Sequence, residues 1–331
     1  MTPKNIIEVR DLTVEFKKPR GSLLAVNHVD FDLREGSVTA LVGESGSGKT
    51  TLAFTMLNIV NTTGKILSGS VNYNGTDVLK LKGEQLRRYR WKEISMIFQS
   101  AQSSLNPLMT IQQHFWETYL VHEPEADEKK VIPRFFRLLE DVMLDPDRVL
   151  KLYPHELSGG MKQRVMIAFS MLLSPRVIIL DEPTTALDVI TQDYIFSILD
   201  KIHNETGISM LLLTHDIGVV AKVADRIAVM YAGRIVEVGD IFTVFRHTAH
   251  PYAKALITTA PSLLDTDKDK EPIKGSPPDL IDLPPGCAFH PRCPYATEVC
   301  REKCPALTMI GEDHYVACHN SLPGKGAAAY E

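Results

Sequence analysis

Gly43-Glu44-Ser45-Gly46-Ser47-Gly48-Lys49-Thr50 is the stretch whose reading decides the fold. It follows the apolar run Val38-Thr39-Ala40-Leu41-Val42, which reads as a strand, and precedes Thr51-Leu52-Ala53-Phe54-Thr55-Met56-Leu57, which reads as a helix. Strand, glycine-rich turn and helix start, in that order, make a phosphate cradle. Glycines let the backbone curl so that successive N–H groups point inward, and the helix N-terminus adds its partial positive charge. A lysine placed as Lys49 reaches the β- and γ-phosphates, and a hydroxyl placed as that of Thr50 ligates Mg²⁺. The expected ligand is a nucleoside triphosphate.

Working outward, the chain of 331 residues has room for about two domains, and 44% hydrophobic with 23% charged residues is a globular composition. The formal charge of −5 gives no electrostatic support for nucleic acid as a partner. No apolar run approaches the roughly 20 residues that a membrane helix needs, and the N-terminus lacks an apolar secretory core, so the expectation is a cytoplasmic chain that does not span a bilayer. All five cysteines fall between Cys287 and Cys318, which points to a local site and not to a scattered disulfide framework.

Residues Ile7–Phe16 and Ala25–Leu33 alternate as half-exposed strands around a Pro/Gly turn at 19–22, predicting an antiparallel edge sheet. From Val38 onward, apolar strands at Val177–Leu180, Ser209–Leu213 and Ile227–Met230 alternate with helices, one of them starting near Gln192. That alternation predicts an α/β fold with a parallel sheet covered on both faces. Residues 100–175 read as a helical insertion, with Pro133–Met143 amphipathic. The predicted organisation is a nucleotide-binding domain over 1–260, a charged, proline-rich linker over 261–286 and a small cysteine module over 287–331.

Val177-Ile178-Ile179-Leu180-Asp181-Glu182 is a buried strand ending in two carboxylates. Ligands of parallel α/β sheets bind at the carboxyl ends of the strands, so Asp181 is expected to hold Mg²⁺ and Glu182 to polarise the attacking water. Leu157-Ser158-Gly159-Gly160 opens a helix and offers a second anion-binding end. Two phosphate-binding loops with one acidic pair suggest that the second loop serves a partner's nucleotide; a Ser-Gly-Gly before a helix is also a common plain N-cap.

These motifs together resemble the ATP-binding subunits of ATP-binding-cassette (ABC) transporters. Gly43–Thr50 matches that family's Walker A loop, Gln99 its Q-loop, Leu157–Gln163 its signature, Val177–Asp181 its Walker B strand, Glu182 its catalytic glutamate, Ala186-Leu187-Asp188 its D-loop and His215 its switch histidine. The resemblance implies a RecA-like core with an antiparallel edge and a helical subdomain. It implies ATP and Mg²⁺ as cofactors, with Thr51 joining Gly43, Ser45, Gly46, Ser47, Gly48, Lys49 and Thr50 around the nucleotide. It also implies two cassettes closing face to face, with Ser158, Gly159, Gly160 and Gln163 completing the opposing chain's site. Phe16 takes the place of the aromatic that stacks on adenine, although strand packing is the plainer role for such a residue. Gln99 is expected to bond Mg²⁺ or the attacking water, and Ser103–Pro107 to receive a coupling helix of the membrane partner. His215, after the strand Leu211–Thr214, is expected to bond the γ-phosphate.

His250-Pro251-Tyr252 and the cysteine-bearing tail resemble the dipeptide, oligopeptide and nickel importer branch of that family. Physically, Pro251 suits a first helical turn, with Tyr252 and Leu256 packing inward at i, i+4.

A module of roughly 35–45 residues is too small to be held by core burial alone, and a reducing compartment disfavours disulfides, which leaves a metal site. Cys-x₂-Cys pairs typical of zinc ribbons are absent, so a zinc site, an iron–sulfur cluster and free thiols stay open. The resemblance implies a 4Fe–4S cluster on Cys287, Cys293, Cys300 and Cys318. Cys304 competes with Cys300 because Glu298–Lys303 reads as a helix that puts both on one face; His290, His314 and His319 are minor alternatives.

The function so implied is an ATPase on the cytoplasmic face of the membrane, driving uptake of di- and oligopeptides, with nickel and oligosaccharides as alternatives. Its partners would be two membrane-spanning permease subunits, a second ATPase subunit, either a paralogue or another copy, and indirectly an extracytoplasmic solute-binding protein. A soluble ABC ATPase without a transport role is the alternative of another class.

Overall fold

The computed structural model describes residues 4–60, 63–99, 104–185, 187–259 and 273–322. Ser103, Ala186, the linker residues 261–272 and the module's last residues, 323–331, lie outside the described residues. The chain divides into two compact units, residues 1–79 with 213–331 and residues 80–212.

The first unit opens with β1 (Asn5–Lys18) and β2 (Gly21–Arg34), followed by β3 (Val38–Val42), α1 (Lys49–Met56), β4 (Gly64–Tyr73) and β5 (Thr76–Asp77). Lys18 pairs with Gly21, so the predicted turn closes a tight hairpin. β1 pairs antiparallel with both β2 and β4, and the sheet runs β2-β1-β4-β5. Ile7, Val9, Leu12 and Val14 are fully buried, while Arg10 and Asp11 face solvent at a shift in register. β3 is buried along its whole length, as a strand covered on both faces must be.

The second unit holds α2 (Gly83–Lys92), β6 (Ile94–Ile97), α3 (Ile111–His122), α4 (Glu128–Asp141), α5 (Pro146–Val149), α6 (Gly159–Ser170), β7 (Val177–Asp181) and α7 (Val189–Thr206). Between β6 and β7 the described helices are α3 to α6. β6, four buried residues, pairs in parallel with β7 and has no counterpart in the sequence reading. α4 buries Val131, Phe135 and Leu139 at successive i, i+4 positions. Phe115 of α3 meets Phe135 edge to face at 5.3 Å and Phe169 of α6 at the same separation, which fixes the centre of this helical core. α7 begins at Val189, earlier than the expected Gln192. The cause is Asp188, whose carboxylate accepts from the Thr191 N–H at 2.9 Å and caps the helix.

β8 (Ser209–Thr214) leads back to the first unit, which continues with α8 (Ile217–Val223), β9 (Arg226–Tyr231), β10 (Arg234–Asp240), α9 (Ile241–Arg246), α10 (Pro251–Thr258), α11 (Glu298–Glu302), β11 (Thr308–Gly311) and β12 (His314–Val316). β3 and β9 pair in parallel, whereas β9-β10, β10-β12 and β12-β11 are antiparallel, so this sheet is mixed. The cysteine-bearing segment therefore does not stand apart: β12 extends the sheet of the first unit. Glu237 of β10, fully buried, accepts from the Ala249 and His250 N–H groups and pairs with His314 of β12, each at 2.8 Å. Tyr252 is buried as expected, but Leu256 is only half-buried and Ile257 supplies the second inward contact of α10. No helix among the described residues is long and apolar enough to cross a membrane.

Candidate nucleotide site

In the first unit the loop from Gly43 to Thr50 joins β3 to α1. Gly48 stands at φ +108°, and a Cβ there would lie 2.1 Å from the Ala25 carbonyl oxygen. A side chain is thus excluded both by conformation and by space. At Gly43 a Cβ would come within 2.2 Å of the Met230 carbonyl oxygen of β9. The loop therefore lies tight against its neighbouring strands. Lys49 is 6% exposed, and its ammonium donates to the Gly43 and Glu44 carbonyls at 2.7 and 3.0 Å and to Ser47 Oγ at 3.5 Å. The charge is folded into the concave side of the loop, at the start of α1, where the helix dipole favours an anion. Thr50 and Thr51 are the next residues of α1.

Phe16 of β1 is half-buried, opposite Leu23 and Gly64. A Cβ on Gly64 would lie 2.8 Å from its ring, so that glycine makes room for the aromatic face. His215 is exposed just after β8. The residues on either side hold its backbone: Thr214 Oγ1 accepts from the Asp216 N–H at 3.0 Å, and the Asp216 carboxylate caps α8 through the Gly218 and Val219 N–H groups.

In the second unit Asp181 is the buried last residue of β7, and Glu182 follows it at φ +46°. A glutamate in the left-handed region is strained by an amount on the order of 1–3 kcal/mol, a cost met mainly where a side chain must be aimed. Glu182 Oε2 accepts from Gln99 Nε2 and from Thr185 Oγ1, each at 3.0 Å. Gln99, two residues past β6, and Glu182, one residue past the adjacent β7, are thereby joined at neighbouring strand ends. The reading of the sequence named this glutamine and this glutamate but missed Thr185, for which an i, i+3 spacing from Glu182 was the available signal.

Ser158 caps α6 by accepting from the Met161 N–H at 3.3 Å; Ser158 and Gly159 are exposed, while Gln163 is buried. Arg164 anchors the same turn by donating to the Met143 carbonyl at 2.7 Å and lying over the Tyr194 ring at 5.3 Å. At Asp188 the Thr191 backbone N–H, followed by the Thr191 hydroxyl, holds the carboxyl below its ordinary range. The next two side chains, Val189 and Ile190, are apolar yet 73% and 85% exposed.

Comparison with known proteins supplies the family. The family pattern described as "ABC transporter" matches residues 26–185, and that described as "Oligopeptide/dipeptide transporter, C-terminal region" matches residues 236–300. The dipeptide transport ATP-binding protein DppD of Caldanaerobacter subterraneus is 43% identical over 95% of this chain and 96% of its own length. The chain belongs to the ABC transporter family. It has the ABC nucleotide-binding cassette fold, α/β with mixed sheets, and is an ABC ATPase. The oligopeptide transport ATP-binding protein OppD of Salmonella typhimurium is likewise 43% identical, over 96% of this chain and 94% of that one. Among solved structures, a post-hydrolysis state of an ATP-binding cassette bound to ADP and Pi, dimeric by its description, superposes with TM-score 0.62 at 27% identity, covering 71% of this chain and 98% of the other. ATP and Mg²⁺ are the cofactors expected of such an ATPase.

Beyond the nucleotide motifs, the ABC chain brings Cys287, Cys293, Cys300 and Cys318 to the lining of one small cavity in the first unit. Burial, reinforced by the neighbouring cysteines, pushes the Cys287 thiol up to about 11, and burial also raises Cys293 and Cys318. Cys304 is exposed and lines a different cavity. The expected shared helical face for Cys300 and Cys304 is not formed, because α11 ends at Glu302 and Cys304 lies beyond it, next to Pro305. The candidate histidines are each engaged: His314 with Glu237, His290 with the Cys287 carbonyl at 3.0 Å and His319 with the Lys303 carbonyl at 2.9 Å. Among the described residues, no three His, Cys, Asp or Glu side chains gather as a single metal ion requires.

Proposed function

We propose that this ABC ATPase is the energising subunit of a di- and oligopeptide importer, acting at the cytoplasmic face of the membrane with two permease subunits and a second ATPase subunit. The observation that carries the substrate class is the match of residues 236–300 to the oligopeptide/dipeptide transporter C-terminal region on the same chain as the ATPase motifs. In this reading Lys49 and the N–H groups of the Gly43–Thr50 loop would hold the triphosphate; Thr50 is the first unit's candidate ligand for Mg²⁺, and Asp181 and Gln99 are the second unit's candidates. Glu182 takes a proton from the attacking water, while His215 senses the γ-phosphate. Phe16, with its half-exposed face beside Gly64, stacks on adenine. The N-terminus of α6, with Ser158 and Gly159 exposed, Gly160 half-buried and Gln163 buried one turn behind them, completes the partner's site, and the apolar pair Val189 and Ile190 beyond Asp188 is covered in the paired state.

We propose the four pocket cysteines as the residues that would hold an iron–sulfur cluster. Their pocket is lined by no carboxylate, lysine or arginine, and burial favours the neutral thiols of Cys287, Cys293 and Cys318, so the cysteines would ligate iron only by giving up their protons as it binds. Such a cluster would cross-link residues 287–318, and Cys304 stands outside the set.

The test is uptake of labelled di- and tripeptides by cells in which the chromosomal copy is deleted. Uptake is expected to fail in the deletion, to return with the unaltered chain and not to return with Lys49→Ala. Undiminished peptide uptake in the deletion strain would overturn the assignment.

A further inference from the structure

The second residue of the phosphate loop is held by the far end of the chain. Glu44 lies between Gly43 and Ser45, and its carboxylate receives both terminal nitrogens of Arg292, at 2.7 and 2.9 Å. Its backbone N–H donates to the Tyr252 hydroxyl at 2.9 Å, and its carbonyl accepts from Lys49 at 3.0 Å. Every polar group of this residue is thus engaged by protein. Arg292 is itself well fixed: its side chain is 6% exposed, it donates to Tyr231 Oη at 3.2 Å, and its guanidinium lies 5.8 and 5.9 Å from the ring centroids of Tyr231 and Phe289. A two-pronged guanidinium–carboxylate contact restricts direction as well as distance, so it can hold a loop in one shape.

The same arginine gathers the segment that precedes the cysteine pocket. Its Nε donates to the Lys274 carbonyl at 2.9 Å, and a terminal nitrogen reaches the Gly275 carbonyl at 3.4 Å. Just beyond these residues, Pro277–Leu280 lies across from Glu44–Ser47, the two stretches lining a cavity of 250 Å³. Arg292 also directly precedes Cys293 of the cysteine pocket. One side chain therefore joins the phosphate loop to Lys274 and Gly275 and stands next in sequence to the cysteine pocket, all within the first unit.

The geometry points to Arg292 as a positioning residue for nucleotide binding, one that sets the shape of the phosphate loop through Glu44 and ties that shape to the C-terminal segment. It touches no reacting atom. The inference rests on the reading of Gly43–Thr50 as the triphosphate loop. Glu44, with its side chain 24% exposed, is the milder place to cut the contact, and Arg292 the more buried one.

The experiment measures ATP dissociation constants of the full chain and of Arg292→Gln, Arg292→Lys, Glu44→Gln and the Glu44→Gln/Arg292→Gln pair, at a temperature where circular dichroism shows each folded. Either single glutamine variant is expected to weaken ATP binding about tenfold. Arg292→Lys should recover part of the loss, since a point charge replaces only one prong, and the double variant should be no weaker than the worse single one. ATP affinities within about twofold of the unaltered chain in both single variants, with only the melting midpoint lowered, would make the contact a purely structural brace and overturn the inference. Losses that simply add in the double variant would overturn it as well, because the two residues would then act separately. If the unaltered chain itself binds no ATP, the reading of the loop falls first and the inference with it.

Discussion

Glu182→Gln separates binding from chemistry because the structure says what the substitution keeps. The carboxylate oxygen Oε2 accepts from Gln99 and Thr185, both at 3.0 Å. An amide carbonyl in its place accepts the same two donors, and the amide nitrogen is nearly the same size as the oxygen it replaces. The side chain should therefore keep its position at the end of β7, and the strained backbone at φ +46° should not relax. What disappears is the capacity to take a proton from water. General bases contribute roughly 10²- to 10⁴-fold, which at about 1.36 kcal/mol per decade is about 3–5 kcal/mol of barrier. ATP turnover is expected to fall by at least about 10²-fold, with ATP affinity within about threefold of the unaltered chain. Phosphate release gives the first quantity and nucleotide titration the second, and the variant should accumulate in the ATP-bound paired form. Turnover within about fivefold of normal would refute the assignment of Glu182 as the base, and a comparable collapse of ATP affinity would show that the carboxylate is needed for binding instead.

Gly48→Ala forces a Cβ to 2.1 Å from a carbonyl oxygen at positive φ; nucleotide titration should show loss of ATP binding and chemical denaturation a loss of about 2 kcal/mol or more, and unaltered ATP affinity would contradict the packing described. Burial pushes His250 down to about 3, so this ring stays neutral in the folded chain while the unfolded chain takes up a proton near pH 6.5. Its contribution is complete above that unfolded value and is lost as pH falls toward the folded one, with a slope approaching about 1.4 kcal/mol per unit. His250→Asn, which keeps an acceptor for the Tyr252 N–H, should flatten the denaturation-derived stability between about pH 6 and 4, and an unchanged slope would remove His250 as its source. Iron and acid-labile sulphide in anaerobic preparations should be lost in Cys300→Ser and retained in Cys304→Ser; the reverse would exchange the two residues, and neither element in the unaltered chain would end the cluster proposal.

The nucleotide motifs could be read from the chain because each is a local device. A glycine turn between an apolar strand and a helix, or a strand ending in two acids, is set by neighbours within about ten residues. The capped start of α7 was legible too, had Asp188 been matched with Thr191 three residues later. β6 escaped because four buried residues leave no periodicity to count. The exclusion of Cys304 was hinted at by Pro305, which disfavours helix in the residue before it. Glu44 with Arg292 and Glu237 with His314 join residues far apart in the sequence; each looks like an ordinary surface charge until the chain is folded. Short-range pattern carries no information about such pairs.

The knot of polar contacts at the C-terminal end bears on how this protein can be cut or recombined. Glu237 shares its carboxylate between the approach to α10 and His314 of β12, Asp313 bridges Arg34 and Arg226, and Arg292 meets Glu44. Trimming the chain near residue 260, where a minimal cassette would end, removes His314, Asp313 and Arg292 together and leaves Glu237, Arg34, Arg226 and Glu44 without these partners. The tail behaves like a keystone and not like a pendant, and a swap between relatives would have to carry both ends of the gene.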